Sequence, residues 1–132
     1  IVNAELIIPV HYDNQYPGGV RLLVWRLLVG WGKGVSHTYR QVVPEKLRWS
    51  VPGARGPDVD RALTPTRQVE LPREYGASKP QVDVTSDVQF WYENRDKNHG
   101  WLITTEDQNT WAYLLPSLRD YRWVLRITYE PK

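Results

Sequence analysis

The strongest constraint on this chain is a period of two near both of its ends. From residue 2 to residue 10 the even positions read Val2, Ala4, Leu6, Ile8 and Val10, with Asn3 and Glu5 set between them. From residue 122 to residue 129, Trp123, Leu125, Ile127 and Tyr129 alternate with Arg122, Val124, Arg126 and Thr128. Successive side chains of an extended chain point to opposite faces, so both stretches predict half-buried strands. Pro9 has no N–H to donate, which puts the first strand at an edge or bulges it near its end. Residues 21–29 differ: Leu23, Trp25 and Leu27 make one face apolar, and Leu22, Val24 and Leu28 do the same for the other. Such a strand is central, or is covered on its second face by a loop or another chain.

Between these strands the punctuation is dense. Asp13-Asn14 and Pro17-Gly18-Gly19 mark a turn over residues 12–19. Residues 30–65 carry Gly30, Gly32, Gly34, Gly53 and Gly56 with Pro44, Pro52, Pro57 and Pro65. A long stretch of that kind predicts crossing loops of the sort that carry function. Short strands fit residues 47–51 and 67–71, the second pointing Val69 and Leu71 inward. A strand over 81–84 leads into the one helix, near residues 86–93, where Ser86 and Gln89 have capping-box spacing and Val88, Trp91 and Tyr92 share a face. Residues 94–100 end the helix, strands follow over 100–105 and 111–115, and a turn falls at 107–110. Many short strands with Gly- and Pro-rich connections predict an all-β fold, an antiparallel β-sandwich of jelly-roll type.

At 132 residues the chain fits one domain, 1–132. It has no cysteine, which excludes a disulfide scaffold, thiolate metal sites and a thiol nucleophile. No apolar run approaches the roughly 18–20 residues of a membrane span. The absence of methionine and the start at Ile1 read as a processed product or a piece of something longer. A net charge of +2 conceals a gradient, because residues 21–73 hold ten Lys or Arg against four acids. That section would steer an anionic partner, or simply decorate polar faces with arginine.

No catalytic constellation assembles from the residues. His11, His37 and His99 lack metallopeptidase spacing, and neither a GxSxG nor a phosphate-binding loop occurs. Asp58 and Asp60, with Asp13-Asn14 and Glu106-Asp107, offer the oxygen ligands calcium takes, without the EF-hand run; no other cofactor is indicated. Trp25, Trp91, Trp101 and Trp123 fall where alternation or helical spacing points them into a core. Trp31, Trp49, Trp111, Tyr39 and Tyr75 lie in or beside loops. Flat rings next to Arg40, Arg48 and Arg55 suit sugars bearing acidic groups, through stacking and charge-assisted hydrogen bonds. The candidate ligand residues are therefore Trp31, Tyr39, Arg40, Arg48, Trp49 and Arg55. The modest net charge and lack of an RNP-like motif argue against nucleic acid.

The order of motifs resembles the DNRLRE-type β-sandwich domains of secreted bacterial proteins, a group that includes alginate-binding carbohydrate modules. The matching stretches are Ala4-Glu5-Leu6-Ile7-Ile8, Leu23-Val24-Trp25-Arg26 before Trp31-Gly32-Lys33-Gly34, and Trp49 before Pro52-Gly53. Val82-Asp83-Val84-Thr85 leading to Val88-Gln89-Phe90-Trp91, then Asn98-His99-Gly100-Trp101-Leu102, is the most specific piece, and residues 123–129 match the closing strand. The resemblance implies a secreted or cell-surface bacterial module, non-catalytic, that binds an anionic polysaccharide or anchors a larger protein. It also implies further strands ahead of Ile1, supplied by an N-terminal segment or another protein chain. The alternative is a structural subunit of a multi-chain extracellular assembly, completed by strand donation.

Overall fold

The computed structural model describes residues 1–13, 20–71, 75–105, 111–114 and 122–131. Its strands are β1 (Asn3–Ile7), β2 (Val10–Asp13), β3 (Val20–Arg26), β4 (Tyr39–Gln41), β5 (Leu47–Arg48), β6 (Arg67–Leu71), β7 (Tyr75–Ser78), β8 (Gln81–Asp83), β9 (Trp101–Thr105), β10 (Trp111–Leu114) and β11 (Val124–Thr128). One helix, α1 (Thr85–Glu93), and a 3-10 turn over Arg95–Lys97 sit between β8 and β9. The chain is mostly β, with three small antiparallel sheets in the orders β11-β1-β8, β10-β2-β7 and β6-β3-β9, and a separate β4-β5 pair. The turn expected at 12–19 is replaced at its start by β2, and its residues 14–19 lie outside the described ones, as does the turn at 107–110. No described helix is long and apolar enough to cross a membrane.

Pro9 shapes the first two sheets. β1 is a central strand, paired with β11 on one side and β8 on the other, so an edge position does not account for the proline. The strand breaks instead at Ile8 and Pro9 and resumes as β2 in the neighbouring sheet. Opposite the break, Pro80 interrupts the partner between β7 and β8, and Ile8 N–H donates to the Pro80 carbonyl at 3.1 Å. A proline in each ladder at the same level removes donors from both, and the pairing changes sheet there.

Alternation decides the core. Ala4, Leu6, Ile8, Val82 and Val84 meet Val24 and Val88 in one buried cluster, with Val69, Trp101, Ile103 and Trp123 packed against it. Val10, Leu22 and Leu71 continue it. Burying each such Val, Leu or Ile side chain stabilises the fold by about 1.5–3 kcal/mol. β3 is the middle strand of its sheet, in register with β6 and β9. Leu22 and Val24 take its inner face, at 1% and 0% exposure.

The helix starts two residues earlier than a capping box at Ser86 requires. Ser86 lies inside α1, the N-cap position is Val84, and no side chain caps it. The entry is organised instead by Asp83, whose Oδ1 accepts from the Thr85 amide and hydroxyl at 2.9 and 2.6 Å. The Thr85 hydroxyl and amide, aided by Arg67, hold the Asp83 carboxyl below the usual aspartate range, against a smaller opposing effect of burial. Val88 and Trp91 are buried as expected, but Tyr92 is exposed and Asp87 takes the third inward place. Asp87 Oδ2 accepts from Trp101 Nε1 at 2.7 Å and from Thr66 Oγ1 at 2.5 Å, tying the helix to β9 and to the entry of β6. Trp91 and Trp101 pack with ring centroids 4.7 Å apart. Asp87→Ala should lower the unfolding free energy by about 2 kcal/mol in urea titrations, because it strands two donors.

The closing strand departs from expectation in burial. Its register with β1 is unbroken, Asn3 opposite Thr128 through Ile7 opposite Val124. Leu125 and Ile127 therefore share the face of Leu6 and Ala4, yet are 42% and 40% exposed. Trp123 alone of that row packs on the core.

Candidate functional site

The outer face of β3 is covered by the long loop that follows it. Leu27, Trp49 and Ala54 form a third buried cluster with Val29 and Leu102, which pins residues 49–54 over the end of the sheet. Trp49 is 7% exposed and its Nε1 donates to the Ser36 carbonyl at 2.8 Å. Asp60 locks the next turn. Its carboxylate is 2% exposed and accepts from Ser50 N and Oγ (both 2.9 Å), Val51 N (3.0 Å) and Gly56 N (2.9 Å). Burial works against the charged form, but these four donors together outweigh it and keep the carboxyl below the usual aspartate range. A Cβ on Gly56 would collide with Ser50 Oγ, so only glycine closes this turn. Gly53, at φ +80°, and Ala54, at φ 55°, both hold the left-handed conformation the loop needs to turn back.

Between this loop and the sheet lies a groove of about 630 Å³. Leu23 and Trp25 of β3, with Leu102 and Thr104 of β9, make its floor. Trp25 pairs with Leu102 and Leu23 with Thr104, so the four form one patch, and Trp25 Nε1 donates to Thr104 Oγ1 at 2.9 Å. His37, Arg55 and Arg61 stand on the loop side. The Arg61 guanidinium carbon lies 4.0 Å from the centre of the Trp25 ring. Burial first, and then the charge of Arg55, draws the Arg61 guanidinium below its ordinary value, with Asp60 opposing. The two cations are thus close enough to repel, and among the described residues no carboxylate lines the groove. A space of this size, with an aromatic floor and a few polar groups, has the build of a small-ligand site.

The expected ligand residues do not gather in one place. Trp49 and Arg55 line the groove, Trp49 as a buried pillar and Arg55 as an exposed wall. Tyr39 lies elsewhere, with Arg48 and Lys46 over its ring at 5.6 and 5.8 Å. Arg40 turns toward the end of β3, donating to the Gly30 carbonyl at 2.7 Å. Trp31 is half exposed beside Asn98, His99 and Gly100, with its Nε1 donating to the His99 carbonyl at 2.6 Å. Asp58 is exposed at φ 56°, and Asp60 spends its oxygens on the loop, so the two calcium candidates do not converge. Among the described residues, no three His, Asp or Glu side chains group as a metal site. The side chains of Tyr75 and Trp111 lie outside the described residues.

Trp25 is the principal correction. Alternation pointed it into the core, but Leu22 and Val24 fill that face and Trp25 faces the loop. With both faces of the strand apolar, hydrophobicity held no vote on which was inner. Arg61, His37 and Thr104 were also missed. The available signal was the coincidence of a doubly apolar strand with a long basic loop directly after it. No protein-family model matches the chain, and neither the curated proteins nor the solved structures yield a match.

Proposed function

We propose that the chain is a non-catalytic polysaccharide-binding module, a β-sandwich of jelly-roll type carried by a secreted or cell-surface bacterial protein, and that the groove over Trp25 takes an anionic sugar. The observation that carries this reading is the pairing of an aromatic floor with Arg55, Arg61 and His37, with no carboxylate among the described lining residues. A sugar ring presents C–H groups to an aromatic face, and a uronate carboxylate accepts from a guanidinium fork. An anion between Arg55 and Arg61 would relieve their repulsion, so it is favoured over a neutral ring of the same shape. The sandwich reading is supported by the buried cluster that β1 and β8 share with β3. The resemblance to DNRLRE-type domains points the same way for fold, location and ligand class.

Affinity electrophoresis in gels containing alginate, pectin or a neutral glucan tests the function. Retardation is expected in the two anionic gels and should weaken as salt rises, since exposed charge pairs are screened within about 10 Å at 0.1 M. Equal mobility in all gels would overturn the reading.

A further inference from the structure

His37 and Arg55 meet across Gly53 on the loop side of the groove. A Cβ on Gly53 would lie 3.0 Å from His37 Cε1 and 3.2 Å from Arg55 Nε, which places the imidazole and the guanidinium side by side. The Gly53 amide donates to the His37 carbonyl at 2.6 Å and holds the two loop segments together. Arg61 lines the same groove, with its guanidinium carbon 4.0 Å from the centre of the Trp25 ring. The sheet side presents Leu23, Trp25, Leu102 and Thr104 and adds no ionisable group. Asp60 stands behind Arg61, but its carboxylate is taken up by Ser50, Val51 and Gly56. Among the described lining residues there is no carboxylate to pair with His37, Arg55 or Arg61. Of these three groups the imidazole is the one whose kind changes charge between about pH 5 and 8.

Resting on the reading of the groove as an anionic-sugar site, we propose that His37 is its third anion contact and makes binding proton-linked. The imidazole takes up a proton as the ligand carboxylate enters, so affinity rises as pH falls. A carboxylate held by Arg55 and Arg61 sets a negative charge beside His37, and an opposite charge within about 4–6 Å favours the protonated ring. Linkage makes the preference reciprocal: a proton on the ring tightens the hold on the carboxylate by the same factor. Carboxyl groups of ordinary acidity, with pKa about 3.3–4.3, stay ionised above pH 5, and guanidinium groups stay charged. The ring is therefore the member of this contact that titrates. His37 is exposed, so its gain is that of a solvent-screened pair.

Titration calorimetry with alginate hexasaccharide, on the parent chain and on His37→Gln, tests the linkage. Between about pH 7.5 and 5.5 the Kd of the parent should fall roughly three- to fivefold. Near pH 6.5 its binding should take up a fraction of a proton, read from the change in heat between buffers of different ionisation enthalpy. His37→Gln keeps the main-chain contact with Gly53 and should stay folded, bind with one Kd at both pH values and take up no proton. His11 and His99 lie outside the groove lining and remain in the variant, so any pH effect of theirs persists there. A parent with the same Kd at both pH values, or an equal pH dependence in His37→Gln, would overturn the linkage and leave the groove reading standing. No binding at either pH would overturn both.

Discussion

Asp60→Ala should lower the unfolding free energy by about 3 kcal/mol and dismantle the wall of the groove, because it leaves buried donors without a partner. The donors are the amides of Ser50, Val51 and Gly56 and the Ser50 hydroxyl, all within 3.0 Å of one carboxylate. The midpoint of urea unfolding reads the loss. Asp60→Asn keeps part of the acceptor capacity and should fall between the two. The same contacts make stability depend on acid. The folded carboxyl titrates below the ordinary aspartate value, so its contribution is complete above roughly pH 3.9 and drains away as pH falls through the lower folded value. Asp60→Asn should flatten that part of the acid-unfolding curve, leaving the smaller, solvent-screened share of Asp83. An acid limb identical to that of the parent chain would contradict this role.

Trp25→Ala and Trp49→Ala should separate binding from folding. Trp49 is buried against Leu27 and Ala54, and its removal should cost about 3–5 kcal/mol of stability. Trp25 lies on an outer face with the Arg61 guanidinium over it, so its loss leaves the inner core intact. Trp25→Ala should instead raise the Kd for an anionic oligosaccharide roughly thirtyfold, about 2 kcal/mol, with little change in melting temperature. Calorimetric melting and titration on the two variants give the four numbers needed. If Trp25→Ala bound as well as the parent while remaining folded, the floor of the groove would have no part in recognition.

β1 and β8 were legible because buried and more exposed side chains alternate along them. Residues 3–7, 67–71, 81–83 and 101–105 lie within or beside the stretches that alternation, β-rich composition and turn residues marked out. The break at Ile8 and Pro9 was legible as a disturbance, but its partner Pro80 lies between two strands some seventy residues away, and only pairing brings them together. Helix spacing identified Val88 and Trp91, while Asp87 escaped because a carboxylate is buried only when distant donors, here Trp101 and Thr66, come to meet it. Of the groove, Trp49 and Arg55 were visible. The rest depended on which face of β3 turned inward and on a loop folded around Asp60, a residue that looked like a cation ligand and serves as an acceptor for backbone amides. Arg48, Arg40 and Trp31 looked equivalent to Arg55 along the chain, and the crossing loop carries them to other surfaces.

The central claim is that the groove over Trp25 holds an anionic sugar, and an ¹H–¹⁵N NMR titration with alginate hexasaccharide tests it most directly. The indole Nε1 resonance of Trp25 and the amides of Gly53, Arg55 and Arg61 should shift together along one saturable curve, while the indole of Trp31 stays in place. A spectrum in which those signals do not move, or in which the shifts are confined to Trp31 and Tyr39, would contradict it.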